Sequence, residues 1–148
     1  MSLPAILTAS AALENANLAA LGIKHAFDTP PEVLTDLPIS MRFAEATRQL
    51  HGSRLMGRYN IYEFKIEVHW PRGVLHEGVQ QCFDTMRALQ ELYTAHLSIL
   101  GSCDVSGFRE PAVEGPLLLT YGTPAVETIG FIFHLWAKEI LDDITVAL

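Results

Sequence analysis

Nine residues from Tyr62 to Trp70 constrain the fold more than any other stretch. Tyr62, Phe64, Ile66, Val68 and Trp70 alternate strictly with Glu63, Lys65, Glu67 and His69. Successive strand side chains point to opposite faces, so this period predicts a strand with one buried and one wet face. Pro71 and Gly73 stop it. The buried face needs a cover, and the following segment supplies one. Leu75, Val79, Cys82, Phe83, Met86, Leu89, Tyr93, Leu97 and Leu100 recur at helical spacing. They predict a long amphipathic helix over residues 74–100, lying across the sheet and capped by Gly101.

The flanking segments extend the pattern. Residues 3–21 predict an N-terminal helix, with Pro4 in its first turn and Gly22 as its C-cap. Leu3, Ile6, Leu7, Leu13, Leu18 and Leu21 share a face, but Ser10, Glu14 and Asn17 lie near the same stripe. A short strand is predicted over Ile23 to Phe27, then a proline-marked stretch, Asp28-Thr29-Pro30-Pro31. Leu37-Pro38 opens a strand from Ile39 to Phe43, and residues 44–57 read as a long hairpin loop. After the long helix come strands over Cys103 to Glu110, interrupted by Gly107, over Leu117 to Tyr121, and over about Val126 to Ile140. The order predicts an α+β fold. A mixed, mainly antiparallel sheet carries the long helix and the N-terminal helix, all in one domain spanning 1–148.

Composition narrows the function classes. Hydrophobic residues make up 49% and charged residues 18% of 148, which fits a globular chain and excludes a disordered one. The mean hydropathy of +0.22 is high for a small monomer, so part of the apolar excess is expected between subunits. No run of 18 apolar residues is present to span a membrane as a helix. The Ala9 to Ala12 stretch imitates a secretory leader. However, the first basic residue is Lys24, and Glu14, Asn15 and Asn17 break the apolar run, so a helix is expected instead. Cys82 and Cys103 match no metal or redox spacing and are expected as free thiols.

No catalytic motif stands out. There is no nucleophile elbow, phosphate loop or dinucleotide fingerprint. His69 and His76 flank the Pro71–Gly73 break, and with Glu67 or Glu77 they sketch a metal site. The alternative is that both histidines are surface residues. A metal-dependent hydrolase using these groups, or a ligand-binding domain with a pocket between helix and sheet, is the alternative to a non-enzymatic role. No cofactor is implied.

Two features point instead to assembly. The net charge is −7, yet Arg42, Arg48, Arg54 and Arg58 face only Glu45 between residues 42 and 58. A basic loop on an acidic protein suits solubility, a subunit contact or a nucleic-acid passage. In the last strand, Ile129, Phe131, Phe133, Leu135 and Ala137 occupy one face, while Ile132, His134 and Trp136 lie on the other. Either a second layer such as the N-terminal helix covers Ile132 and Trp136, or they form a subunit contact.

These elements together resemble a known family. The N-terminal helix runs into Gly22-Ile23, then Phe27-Asp28-Thr29-Pro30-Pro31. Leu37-Pro38 opens a strand, the alternating strand precedes the long helix from Val74, and Tyr121-Gly122 precedes Ile129-Gly130-Phe131-Ile132-Phe133-His134-Leu135. The order is similar to that of the tail-terminator (tail-completion) and minor tail proteins of long-tailed bacteriophages. The chain departs from that pattern at Ser40, Arg42 and Glu45, where a plainer hydrophobic strand is usual. The resemblance implies a structural virion protein without catalysis: a homo-oligomeric ring, commonly a hexamer, that caps the tail tube. Its partners would be the tail tube protein and a head-completion protein, with room for passive contact with DNA in the lumen. It would act in the host cytoplasm during assembly and at the head–tail junction of the virion; another neck protein is the near alternative. The implied contact residues are Arg42, Arg48, Arg54, Arg58, Ile132, His134 and Trp136.

Overall fold

A computed structural model of the chain describes residues 2–34, 36–51, 58–73 and 75–141, with the backbone alone at 50 and 51. Helix α1 spans Leu3–Asn15, α2 Leu18–Leu21 and α3 Leu75–Ala95. The strands are β1 His25–Phe27, β2 Ile39–His51, β3 Arg58–Pro71, β4 Val105–Tyr121 and β5 Val126–Leu141. They form one sheet in the order β1-β2-β3-β5-β4. The β1–β2 pair is parallel and the others are antiparallel. The α+β class expected from the sequence is the one observed. Among the described residues, no helix is long and apolar enough to cross a membrane.

Both helical layers lie on one face of the sheet. Ile6, Leu7, Ala11 and Leu13 of α1 and Cys82, Leu89 and Tyr93 of α3 share a core with Phe64, Ile66, Val68 and Trp70 of β3 and with Phe131, Phe133 and Leu135 of β5. The period of two in β3 therefore assigns its buried face as expected. Cys82 and Cys103 are free and buried, and burial pushes both thiols up to about 11, so they stay protonated and inert.

Several boundaries differ from expectation. The N-terminal helix breaks after Asn15, and Gly22 caps α2 with φ at +72°. Asn17 turns back onto the Leu13 carbonyl, and Asn15 bonds both backbone groups of Ala26, closing the outer edge of β1. Helix α3 stops at Ala95, short of residue 100. Ile99, Leu100 and Gly101 all have positive φ there, and the turn brings Ile99 into the core in place of Leu97 and Leu100. The two expected strands over 103–121 are one strand, β4, with register shifts at 108–113 and 114–117.

The largest correction concerns residues 44–57. Residues 44–51 are not loop; they continue β2 and pair with residues 58–64 of β3. A bulge between Ala44 and Ala46 hid this, because one extra residue switches which side chains share a face. Arg42 pairs opposite Ile66 on the helix side, while Arg48 pairs opposite Ile61 on the other side. Without the bulge, residues six apart would face the same way. Arg54 lies outside the described residues. Arg58 opens β3, half-buried, in register with Leu141. The four arginines therefore form no single basic surface.

Arg42 is not an exposed contact residue at all. It is fully buried between β2, α1 and α3. Its guanidinium forms an ion pair with Glu14, and Nε donates to Ser10 Oγ at 2.7 Å. Nη1 donates to the Phe27 carbonyl at 2.9 Å. Ser40 Oγ donates to Glu14 Oε1 at 2.7 Å, and Tyr93 donates to Glu14 Oε2. Burial works against the charge on Arg42, yet the carboxylate beside it holds its pKa above the ordinary value. Burial first, and Glu14 second, push the Tyr93 hydroxyl up, so it stays a donor. Removing one partner strands a buried charge. We expect Arg42→Ala to lower unfolding stability by about 3–5 kcal/mol in urea titrations, with Arg42→Met/Glu14→Met recovering most of the loss. An Arg42→Ala loss below about 1 kcal/mol would refute this role.

Candidate interaction face

The face of the sheet opposite the helices carries the charged side chains of β3. Glu63, Lys65, Glu67 and His69 project from it, opposite Trp136, His134, Ile132 and Gly130 of β5. The N-terminal helix does not cover Ile132 and Trp136, because it packs on the other side. One end of this face is closed by the segment between β1 and β2. Tyr121 at the end of β4 donates its hydroxyl to the Pro31 carbonyl, and Ile39, Met41 and His69 are buried at that end.

Under this cover the polar groups satisfy one another. His69 Nδ1 lies 2.6 Å from Thr128 Oγ1, and Nε2 lies 3.0 Å from Glu67 Oε1. Lys65 Nζ is 3.2 Å from Glu67 Oε2. Burial raises the pKa of Glu67, but the hydrogen bonds from His69 and Lys65 outweigh it and hold the group below its ordinary value. Burial, with the Glu67 charge second, pushes the Tyr121 hydroxyl up. His69 is thus no surface residue. It does not join His76, which is exposed at the start of α3. Among the described residues, no group of three or more His, Cys, Asp or Glu side chains is placed to hold a metal ion.

Further along the face, Arg109 of β4 is the organising residue. Its Nη1 donates to Glu63 Oε2 at 3.4 Å, and Nη2 contacts Glu45 and, at 3.0 Å, His134 Nδ1. The β2 bulge puts Glu45 within reach. Arginine has no acceptor, so His134 Nδ1 must accept; its proton then sits on Nε2, which is 3.1 Å from Glu114 Oε1. Arg48 completes the lattice by pairing with Glu63.

Beyond the lattice lies an open groove of about 440 Å³, with Tyr59, Ile61 and Trp136 among its walls; the Phe108 ring turns to the helix side, 5.1 Å from that of Phe133. Lys138 Nζ stands 4.1 Å from the Tyr59 ring centroid. The Trp136 ring lies over Gly107 of β4: a Cβ at Gly107 would come within 2.5 Å of Trp136 Cζ2. Gly107, read as an interruption, is the residue that lets the indole lie down on the neighbouring strand.

The structure thus brings Arg48, Ile132, His134 and Trp136 to one face. It removes Arg42 to the core and leaves Arg58 on the helix-side register. Arg109 carries no sequence signal, since it falls inside a register shift of β4, and Glu63 shows only as a polar position of the alternating strand. No protein-family model matches the chain, and no curated protein matches it.

Two outcomes follow from this geometry. The carboxylate of Glu67 has a lowered folded-state pKa, so its stabilisation is complete above the ordinary value of 4.5 and is lost as pH falls through the folded value. Thermal melts of Glu67→Gln should show less acid destabilisation below that pH than the parent; parallel curves would contradict it. Gly107→Ala should cost about 1–3 kcal/mol and shift the Trp136 emission in a Trp70→Phe background. Unchanged emission would mean the ring does not rest on Gly107.

Proposed function

We propose that this chain is a structural assembly protein of the tail-terminator kind, forming a ring that caps a phage tail tube and offers a surface to the head-completion complex. One observation carries the reading beyond the resemblance in element order. Among the described residues no segment covers half of one sheet face, where half-buried Trp136, Tyr59 and Ile61 line a groove between charged groups. Uncovered aromatic surface with a polar rim is the usual anatomy of a protein contact.

The remaining features support a role in surface recognition over catalysis. The polar side chains of this face are spent on one another, and the histidines have structural partners. The free edge of β4 is blunted by Pro111, Pro116 and two register shifts, which disfavours extending the sheet through that strand. Contact through the face is therefore favoured over contact through this edge. A ring needs a heterologous contact whose rotation closes.

Sedimentation and negative-stain imaging of the purified chain, alone and added to growing tail tubes, test the reading. Rings in solution or on tube ends, with tube growth arrested, are expected. A chain that stays monomeric at high concentration and leaves tube length unchanged would overturn it.

A further inference from the structure

His134 stands opposite a gap in the sheet ladder. Leu135 pairs with Phe108 and Phe133 with Val113, so the single residue His134 faces residues 109–112 of β4. A bulge of that size interrupts the backbone bonds of the ladder. Side chains fasten it instead. Arg109, at its start, meets His134 Nδ1 at 3.0 Å, and Glu114, just past its end, meets Nε2 at 3.1 Å.

Charged groups surround the ring from every neighbouring strand. From β2 come Glu45, whose Oε1 lies 3.5 Å from Nδ1, and Arg48, which pairs with Glu63. From β3 come Glu63, bonded to Arg109, and Lys65, which is in register with His134 but pairs with Glu67. From β4 come Arg109, Glu114 and the exposed Glu110. On β5 itself, Lys138 stands over the Tyr59 ring. In the bonded group around His134, the carboxylates of Glu45, Glu63 and Glu114 outnumber the guanidiniums of Arg48 and Arg109 by one. A single proton balances them, and histidine is the side chain that takes up charge between about pH 8 and pH 5.

The present geometry cannot keep that proton without rearranging. An imidazolium donates from both nitrogens and has no lone pair left for Arg109. Its new Nδ1–H would point at a guanidinium, while the nearest carboxylate, Glu45, is held by that same guanidinium. Arg109 is also incompletely satisfied where it lies, since its Nε is buried and bonds to no described residue.

We propose that His134 is a proton-operated clasp on the β4 bulge. Neutral, it accepts from Arg109 and so fastens residues 109–112 to β5. When a proton from solvent binds the Nδ1 lone pair, His134 donates to Glu45 through Nδ1–H and keeps Glu114 through Nε2–H. Arg109 loses its acceptor, and the bulge comes loose. The ring is 13% exposed, which gives solvent protons access to it. This switch does not depend on the assembly reading.

Nitrogen NMR of the wild-type chain reads the ring directly. Near the alkaline end of the window, the proton of neutral His134 should sit on Nε2; a proton on Nδ1 there would overturn the proposal. Amide hydrogen exchange, corrected for the intrinsic effect of pH, reads the clasp. Protection of the stretch from Ser106 to Leu117 should fall about tenfold or more between about pH 8 and pH 5.5, while Ile66 and Phe131 keep theirs. His134→Gln retains an acceptor for Arg109 and a donor for Glu114 but takes up no proton, so its bulge should be equally protected at both ends. Unchanged protection in the wild type, or an equal fall in His134→Gln, would overturn the proposal.

Discussion

The ion pair between Glu14 and Arg42 holds the architecture together. It sits between the N-terminal helix, the second strand and, through Tyr93, the long helix. A buried pair of this kind adds little net stability over an apolar substitute, but a misplaced one is costly. Its effect is therefore on specificity. Only one docking of α1 gives Glu14 the guanidinium, the Ser40 hydroxyl and the Tyr93 hydroxyl together. That docking commits both helices to the same face of the sheet and, among the described residues, leaves the other face without a helix.

From that asymmetry the rest follows. The uncovered face cannot be apolar throughout, so β3 and β5 line it with charged groups that neutralise one another. The proline-marked segment after β1 closes one end, where Tyr121 holds the Pro31 carbonyl. At the other end no segment among the described residues is placed to do the same, and the aromatics stay accessible. Exposed large apolar side chains are spread more widely, at Leu75 and Phe83 on α3, Leu97 and Leu100 after it, Leu118 on β4 and Ile140 on β5.

How far the sequence revealed this depends on the kind of signal. Period two identified β3 and the buried face of β5 because alternation directly reports which side is covered. Gly22 announced its cap because few residues tolerate a φ of +72°. The extension of β2 to His51 was hidden by the bulge at Glu45, which breaks the period that would have marked it. Ser10, Glu14, Ser40 and Arg42 looked like defects in two apolar patterns. Each defect is the partner of the other, and matching polar interruptions on two faces that must meet is a readable signal. His69 was illegible for another reason: its partner Thr128 lies 59 residues away, and periodicity gives the face of a residue, not its neighbour. Trp136 was legible as an apolar residue on the polar side of its strand, whereas Arg109, which orders the face around it, was not.

The central claim is that the half-face carrying Trp136 and Tyr59 is buried on assembly. Hydroxyl-radical footprinting across a concentration series measures this most directly. Trp136 and Tyr59 should lose reactivity in parallel as the oligomer forms, while buried Trp70 stays unreactive throughout. Reactivity at Trp136 and Tyr59 that stays constant while the mass rises would contradict the account.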